Sequence, residues 1–240
     1  MNRLALIFLR NITKFPGAYR KLCHYAKHTD RYPEMEKYNH IRYMLSLAVD
    51  KGNVQLQVTG TEHIPQENGY MIYANHQGLF DVLALVYTHP GPLACVFKHE
   101  LKDTPLLKQI IACTKSFAMD RDDVRQSLTV IRNVSEEVKK GRNYIIFPEG
   151  TRSKLGNTMV DFHSGSFKAA MKAKCPILPL AFVNSFQVLD QKGSGPVQVG
   201  VHYLPPIPYE QYKDMNTVEL AALVKEKIQA ALDAHIGGTL

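Results

Sequence analysis

The apolar positions of this chain change rhythm near Gly52. Before it, Leu4, Ile7, Phe8, Ile12 and Phe15 repeat every three or four residues, and so do Met35, Tyr38, Ile41, Leu45 and Ala48. That spacing predicts amphipathic helices. After it, short apolar runs alternate with helical stripes. Val54, Leu56 and Val58 alternate with Gln55, Gln57 and Thr59, which predicts a half-exposed strand. Residues 70–74, 93–97, 144–147 and 176–183 read as buried strands, 116–119 as a short one, and Val197, Val199 and Val201 as a late alternating one. Helices are expected from near Leu79 to before Pro90, near 105–113, through Val124, Leu128, Ile131 and Val138, over 165–174, and through Leu220, Leu223, Val224, Ile228 and Leu232. Asp122 or Asp123 is placed to cap the third of these, and Asn216-x-x-Glu219 resembles a capping box opening the last.

Strands alternating with helices, most strands apolar throughout, predict an α/β fold: a mostly parallel mixed sheet covered by helices on both faces. An N-terminal amphipathic helical arm over 1–52 precedes an α/β domain over 53–240. No internal repeat, G-x-G-x-x-G or P-loop pattern occurs, which argues against nucleotide binding. No stretch approaches the roughly 20 apolar residues of a spanning helix, since residues 4–9 stop at Arg10.

Charge separates the two parts. The first 50 residues hold nine Lys/Arg against four acids, most of the net charge of +7. A basic, amphipathic arm predicts a peripheral or monotopic protein resting on an anionic membrane surface, with Arg3, Arg10 and Lys14 among the headgroups. An acidic protein would suit the same charge. Nucleic acid is disfavoured, because aromatics are not interleaved with the cations. Four scattered cysteines without a C-x-x-C pair point to a reducing compartment, here the cytoplasmic face. No group of residues has metal-ligand spacing, so no metal is expected.

Candidate chemistry collects where strands end. Asn75-His76-Gln77-Gly78-Leu79-Phe80-Asp81 follows the run 70–74. Asp81 lies about a helical turn beyond His76 and can hold one ring nitrogen while the other takes a proton. No G-x-S-x-G nucleophile elbow is present. Phe147-Pro148-Glu149-Gly150-Thr151-Arg152-Ser153 follows a second buried run; Arg152 offers a planar fork for phosphate, and a structural Glu149–Arg152 ion pair is the plain alternative. Arg121, in Met119-Asp120-Arg121-Asp122, is an anion binder or a solvated cation beside helix caps. Lys98 closes a fourth strand. In a parallel sheet these ends share one edge and form one pocket holding a base and several cations.

These blocks, in this order, resemble the glycerolipid acyltransferase family and are similar to the 1-acylglycerol-3-phosphate acyltransferases. The resemblance rests on His76 with Asp81, Lys98 to Leu101, Asp120-Arg121, residues 147–153 and Pro176-Ile177-Leu178-Pro179. The chain departs from the family's frequent pattern at Gly78, where Ser is common, and at His163, where Lys is common. The resemblance implies transfer of a fatty acyl group from a thioester, either acyl-CoA or acyl-acyl carrier protein, to the sn-2 hydroxyl of lysophosphatidate, with no bound cofactor. His76 and Asp81 would be catalytic. Lys98, Arg121, Glu149, Gly150, Thr151 and Arg152 would bind substrate, with Glu149 on the glycerol backbone and amides near Gly150 on the oxyanion. Glycerol 3-phosphate or another lysophospholipid is the alternative acceptor, and a membrane lipid-binding module the non-enzymatic alternative.

Overall fold

The computed structural model describes residues 3–237. Three helices come first: α1 (Arg3–Arg10), α2 (Phe15–Lys27) and α3 (Glu34–Lys51). The body follows as β1 (Val54–Thr59), β2 (Met71–Ala74), α4 (Phe80–Thr88), β3 (Leu93–Lys98), α5 (Leu107–Thr114), β4 (Phe117–Met119), α6 (Val124–Lys139), β5 (Asn143–Ile146), α7 (Lys168–Ala173), β6 (Ile177–Val183), α8 (Phe186–Leu189), β7 (Val197–Tyr203) and α9 (Thr217–Gly237). The predicted caps form. Asp123 accepts from the amides of Arg125 and Gln126, and Glu219 reaches back to the Asn216 amide at 2.8 Å.

The strands form one sheet in the order β1-β7-β6-β2-β5-β3-β4. Every neighbouring pair is parallel except β6–β7. The carboxyl ends of β6, β2, β5, β3 and β4 therefore share one edge. Successive residues of β2 point into opposite cores, as the two-residue period of a strand requires. Ile72 and Ala74 join a cluster with α2, α3 and α4, while Met71 and Tyr73 join one with α6, α7 and α9.

Three local expectations differ from the structure. The apolar stripe from Leu4 to Phe15 is two helices, because the chain turns over residues 11–14 and Pro16 opens α2. Val54 is buried but Val58 is exposed, because β1 is an edge strand and burial fades toward its far end. Arg3 does not sit among headgroups. It is buried, with Nη1 donating to Gly52 O and Nη2 to Gly195 O at 2.8 Å. Arg10 donates to Lys51 O at 2.9 Å, and the buried Asn11 donates to Leu47 O at 2.9 Å. Lys51 O, at the end of α3, lacks a helical partner and lies at the negative end of the helix dipole, which favours the Arg10 cation there. Tyr25, Tyr38 and Ile41 from α2 and α3 lie in the same apolar cluster as the sheet.

Candidate active site

The chain leaves β2 at Ala74 and is pinned at once. Asn75 accepts from the Phe182 amide at 2.7 Å and donates to its carbonyl at 2.9 Å, fastening the loop to β6. His76 is held at both backbone groups by the stretch after β5: its amide donates to Glu149 Oε1 at 2.6 Å, and its carbonyl accepts from the Ser153 amide at 2.9 Å. The imidazole stacks on Phe147, ring centres 4.1 Å apart.

Nδ1 of His76 lies 2.6 Å from Asp81 Oδ2. Asp81 is fully buried in the first turn of α4 and also accepts from the amides of Gln77 at 2.7 Å and Gly78 at 3.0 Å. Its other oxygen accepts from the Ser185 hydroxyl. The carboxylate is used purely as an acceptor, so Nδ1 carries the hydrogen and Nε2 is left with a lone pair to act as a base. Ser185 is fully buried just beyond β6 and is fixed in turn: its amide donates to Gln77 Oε1 at 3.0 Å, and Gln77 Nε2 donates to Asn157 at 2.8 Å.

The cations lie along the same edge. Lys98 ends β3, is exposed, and pairs with Glu100 at 2.6 Å. Arg121 follows β4 and approaches the loop after β5: a Cβ added to Gly150 would stand 3.8 Å from Arg121 Nη1 and 2.8 Å from a ring carbon of His163. Gly150 also has φ +69°, so both conformation and space demand glycine there. Thr151 is exposed. Arg152, half-exposed, pairs through Nη1 with Asp190.

Glu149 differs from the expectation that it meets the glycerol backbone. It is buried, and its second oxygen accepts from the Val160 amide at 2.9 Å. Both oxygens are thus spent on backbone, and the residue positions the His76 loop. Burial raises its pKa above the usual carboxylate value, against the two amide donors and the nearby imidazole. The Gly150 amide is likewise engaged, donating to Phe147 O at 3.1 Å. The amides of Thr151 and Arg152 carry no hydrogen bond among the described residues, so both are free to donate to an oxyanion.

An apolar cavity of about 250 Å3 opens between the arm and α4, lined among others by Ile7, Phe8, Phe15, Phe80, Leu83 and Leu106. Phe80 is the neighbour of Asp81. Among the described residues no three His, Cys, Asp or Glu side chains group as metal ligands.

Sequence reasoning missed Ser185, Asn157 and Asp190. The one available signal was that β6 ends on the same edge as β2, which places residues 184–190 beside the His76 loop.

The comparisons with known proteins fit this geometry. The acyltransferase family model matches residues 55–183, more than half of the chain and the whole edge that carries His76, Asp81 and Arg152. The chain belongs to the acyltransferase family. This acyltransferase is 33% identical over 174 residues to a 1-acyl-sn-glycerol-3-phosphate acyltransferase of Salmonella typhimurium, covering 70% of each chain. It is 26% identical to one from Borreliella burgdorferi, covering 80% of this chain and 78% of that one. A Saccharomyces cerevisiae protein of the same name is 29% identical, over 80% of this chain and 62% of the yeast protein. The fold is similar to the crystal structure of the 1-acyl-sn-glycerophosphate acyltransferase PlsC of Thermotoga maritima, with a TM-score of 0.76, 20% identity, and coverage of 97% of this chain and 96% of that one.

Proposed function

We propose that this acyltransferase moves a fatty acyl group from a thioester to the sn-2 hydroxyl of lysophosphatidate, giving phosphatidate. The observation that carries the reading is the buried, fully bonded Asp81 holding His76 Nδ1 on an edge where Arg121 and Arg152 also stand. The relatives quoted above are named for that activity.

In this mechanism the acceptor hydroxyl lies against His76 Nε2. As its oxygen attacks the thioester carbonyl, Nε2 takes the proton, and Asp81 stabilises the imidazolium. The negative oxygen of the tetrahedral species faces the Thr151 and Arg152 amides. The C–S bond then breaks, and the imidazolium returns its proton to the departing thiolate. An ester and a free thiol result, with no acyl-enzyme. Lys98, Arg121 and Arg152 receive the acceptor phosphate. The cavity beside Phe80 takes an acyl chain.

Substrate and product both live in a bilayer, and α1 offers a way onto one. Leu4, Phe8, Leu9 and Ile12 are exposed apolar side chains, and Lys14, Arg20, Lys21 and Lys27 are exposed cations on the same arm. Apolar groups sink to the acyl boundary while each cation near an anionic surface adds roughly 1 kcal/mol. Among the described residues no helix is long and apolar enough to cross a membrane; the docking proposed here is peripheral, on the cytoplasmic leaflet.

The test is direct. Purified full-length protein is offered lysophosphatidate, glycerol 3-phosphate and lysophosphatidylcholine, each with acyl-CoA and with acyl-acyl carrier protein. Phosphatidate formed at the highest kcat/KM supports the reading. Preference for either other acceptor replaces it, and lipid binding without transfer to any acceptor overturns catalysis altogether.

A further inference from the structure

We infer that Asp190 is a positioning residue for the acceptor phosphate, tying the Arg152 guanidinium to the catalytic loop, and that Gly78 is there to make room for it. The inference rests on the acceptor reading above.

Asp190 follows the short helix α8 and stands outside the blocks that carry the family resemblance. Its two oxygens do different things. Oδ2 accepts from the Leu79 amide at 2.8 Å, three residues beyond His76. Oδ1 accepts from Arg152 Nη1. A single carboxylate thus joins the loop that bears the base to the arginine that meets phosphate. Among the described residues Arg152 makes no other side-chain bond, so the rest of its fork of donors remains for an oxyanion. An arginine on a mobile side chain would lose rotamer freedom on meeting a phosphate; one already held by Asp190 loses less.

Gly78 supplies the second observation. Its φ is not positive, so its backbone does not require glycine. Space does: a Cβ at this position would stand 2.5 Å from Asp190 Oδ2 and 3.0 Å from Phe186 Cα. Any side chain at residue 78 would drive the carboxylate off the Leu79 amide. The departure noted in the His76 block and the acid after α8 are therefore one arrangement.

The geometry makes a prediction of sign that a purely structural role would not. With Arg152 present, Asp190 helps phosphate by aiming the guanidinium. With Arg152 removed, the same carboxylate is an unpaired negative charge beside the phosphate site, and it repels the acceptor. Asp190→Asn keeps an oxygen for the Leu79 amide but presents a poorer partner to Arg152. It is expected to raise the KM for lysophosphatidate about tenfold, with kcat changed less than about threefold and the KM for the acyl donor less than about twofold. In an Arg152→Ala background the same substitution is expected to lower the lysophosphatidate KM. Gly78→Ala is expected to reproduce the KM effect of Asp190→Asn, and to add nothing on top of it. Thermal melts of each variant report folding separately. A fall in kcat with both KM values unchanged, or a rise in lysophosphatidate KM in both backgrounds, overturns the inference. Wild-type protein that acylates only a non-phosphorylated acceptor overturns the acceptor reading instead, and that result shows before any variant is made.

Discussion

The hydroxyl of Ser185 donates to Asp81, the same carboxylate that holds Nδ1 of His76. The two oxygens of Asp81 are thereby divided, one for the ring and the backbone of its own loop, the other for a residue 104 positions later. A carboxylate anchored from the opposite side cannot rotate away from the imidazole. Ser185→Ala is expected to lower kcat about tenfold or more, since a hydrogen bond to a buried charged group is worth about 1.5–3 kcal/mol. Steady-state kinetics check this, and both KM values should hold. A variant with unchanged kcat would show that the backbone donors alone suffice.

Removing the base itself has a larger effect. His76→Ala should abolish turnover to within a small residue, and Asp81→Asn should lower kcat by about 10^3 to 10^4, because the neutral amide no longer fixes the tautomer. Single-turnover assays with radiolabelled thioester distinguish this from slow product release. Neither variant should accumulate labelled protein, since the proposed route passes through no acyl-enzyme.

Glu149 is expected to behave as a scaffold for the loop. Its two oxygens accept from the amides of His76 and Val160. Glu149→Gln sets a side-chain N–H against one of those amides, which should cost about 1–3 kcal/mol of stability. Urea unfolding should record that loss, and kcat should fall while the KM for lysophosphatidate stays near the wild-type value. A selective rise in that KM would return Glu149 to the glycerol.

Two histidines away from the site set an acid limit on stability. His89 is buried beside Tyr70, whose hydroxyl lies 2.7 Å from Nε2, and burial lowers its pKa to about 4. His202 is lowered to about 4 by burial and by His235 stacked 3.6 Å away. An unfolded histidine titrates near 6.5. Between about pH 6.5 and 4 the unfolded chain therefore binds protons that the native one refuses, and stability falls as pH falls through that window. Above it the contribution is complete. The two sites together bring a loss on the order of 7 kcal/mol at most. Urea midpoints at pH 7, 6, 5 and 4.5 should decline steadily, and His89→Gln should flatten the slope by roughly half. A midpoint independent of pH over that range would refute the assignment.

The arm gives a test that leaves the site untouched. Leu9→Ser with Ile12→Ser removes two exposed apolar side chains from the end of α1 and the turn after it, neither of which lines the cavity. Sedimentation with vesicles containing anionic lipid should show weaker binding, with activity toward detergent-dispersed substrate retained. Equal binding would shift docking elsewhere on the surface.

Much of the fold was legible because its signals are local. Runs such as 144–147 and 176–183 are apolar throughout because both faces of those strands are covered, and Asp123 and Asn216 cap helices with their own side chains. The pairing of His76 with Asp81 was legible for the same reason, lying within one loop and one helical turn. What escaped was set through space. Ser185 and Asp190 follow a strand that neighbours β2 only through the sheet order, and nothing in residues 184–190 marks them. Arg3 looked like a surface cation because its partners, Gly52 and Gly195, are backbone carbonyls without a sequence signature. Glu149 looked like a ligand for substrate because composition does not reveal which way a carboxylate faces.

The double clasp on His76, amide to Glu149 and carbonyl to Ser153, has a consequence for the economy of motion in catalysis. A general base must be aimed at each encounter, and aiming a free side chain costs entropy every time. Here the backbone torsions around the base are frozen by a neighbouring strand's loop, and Phe147 and Asp81 limit the ring. The ordering is incurred once, when the chain folds, and every subsequent turnover begins from an imidazole already at its station.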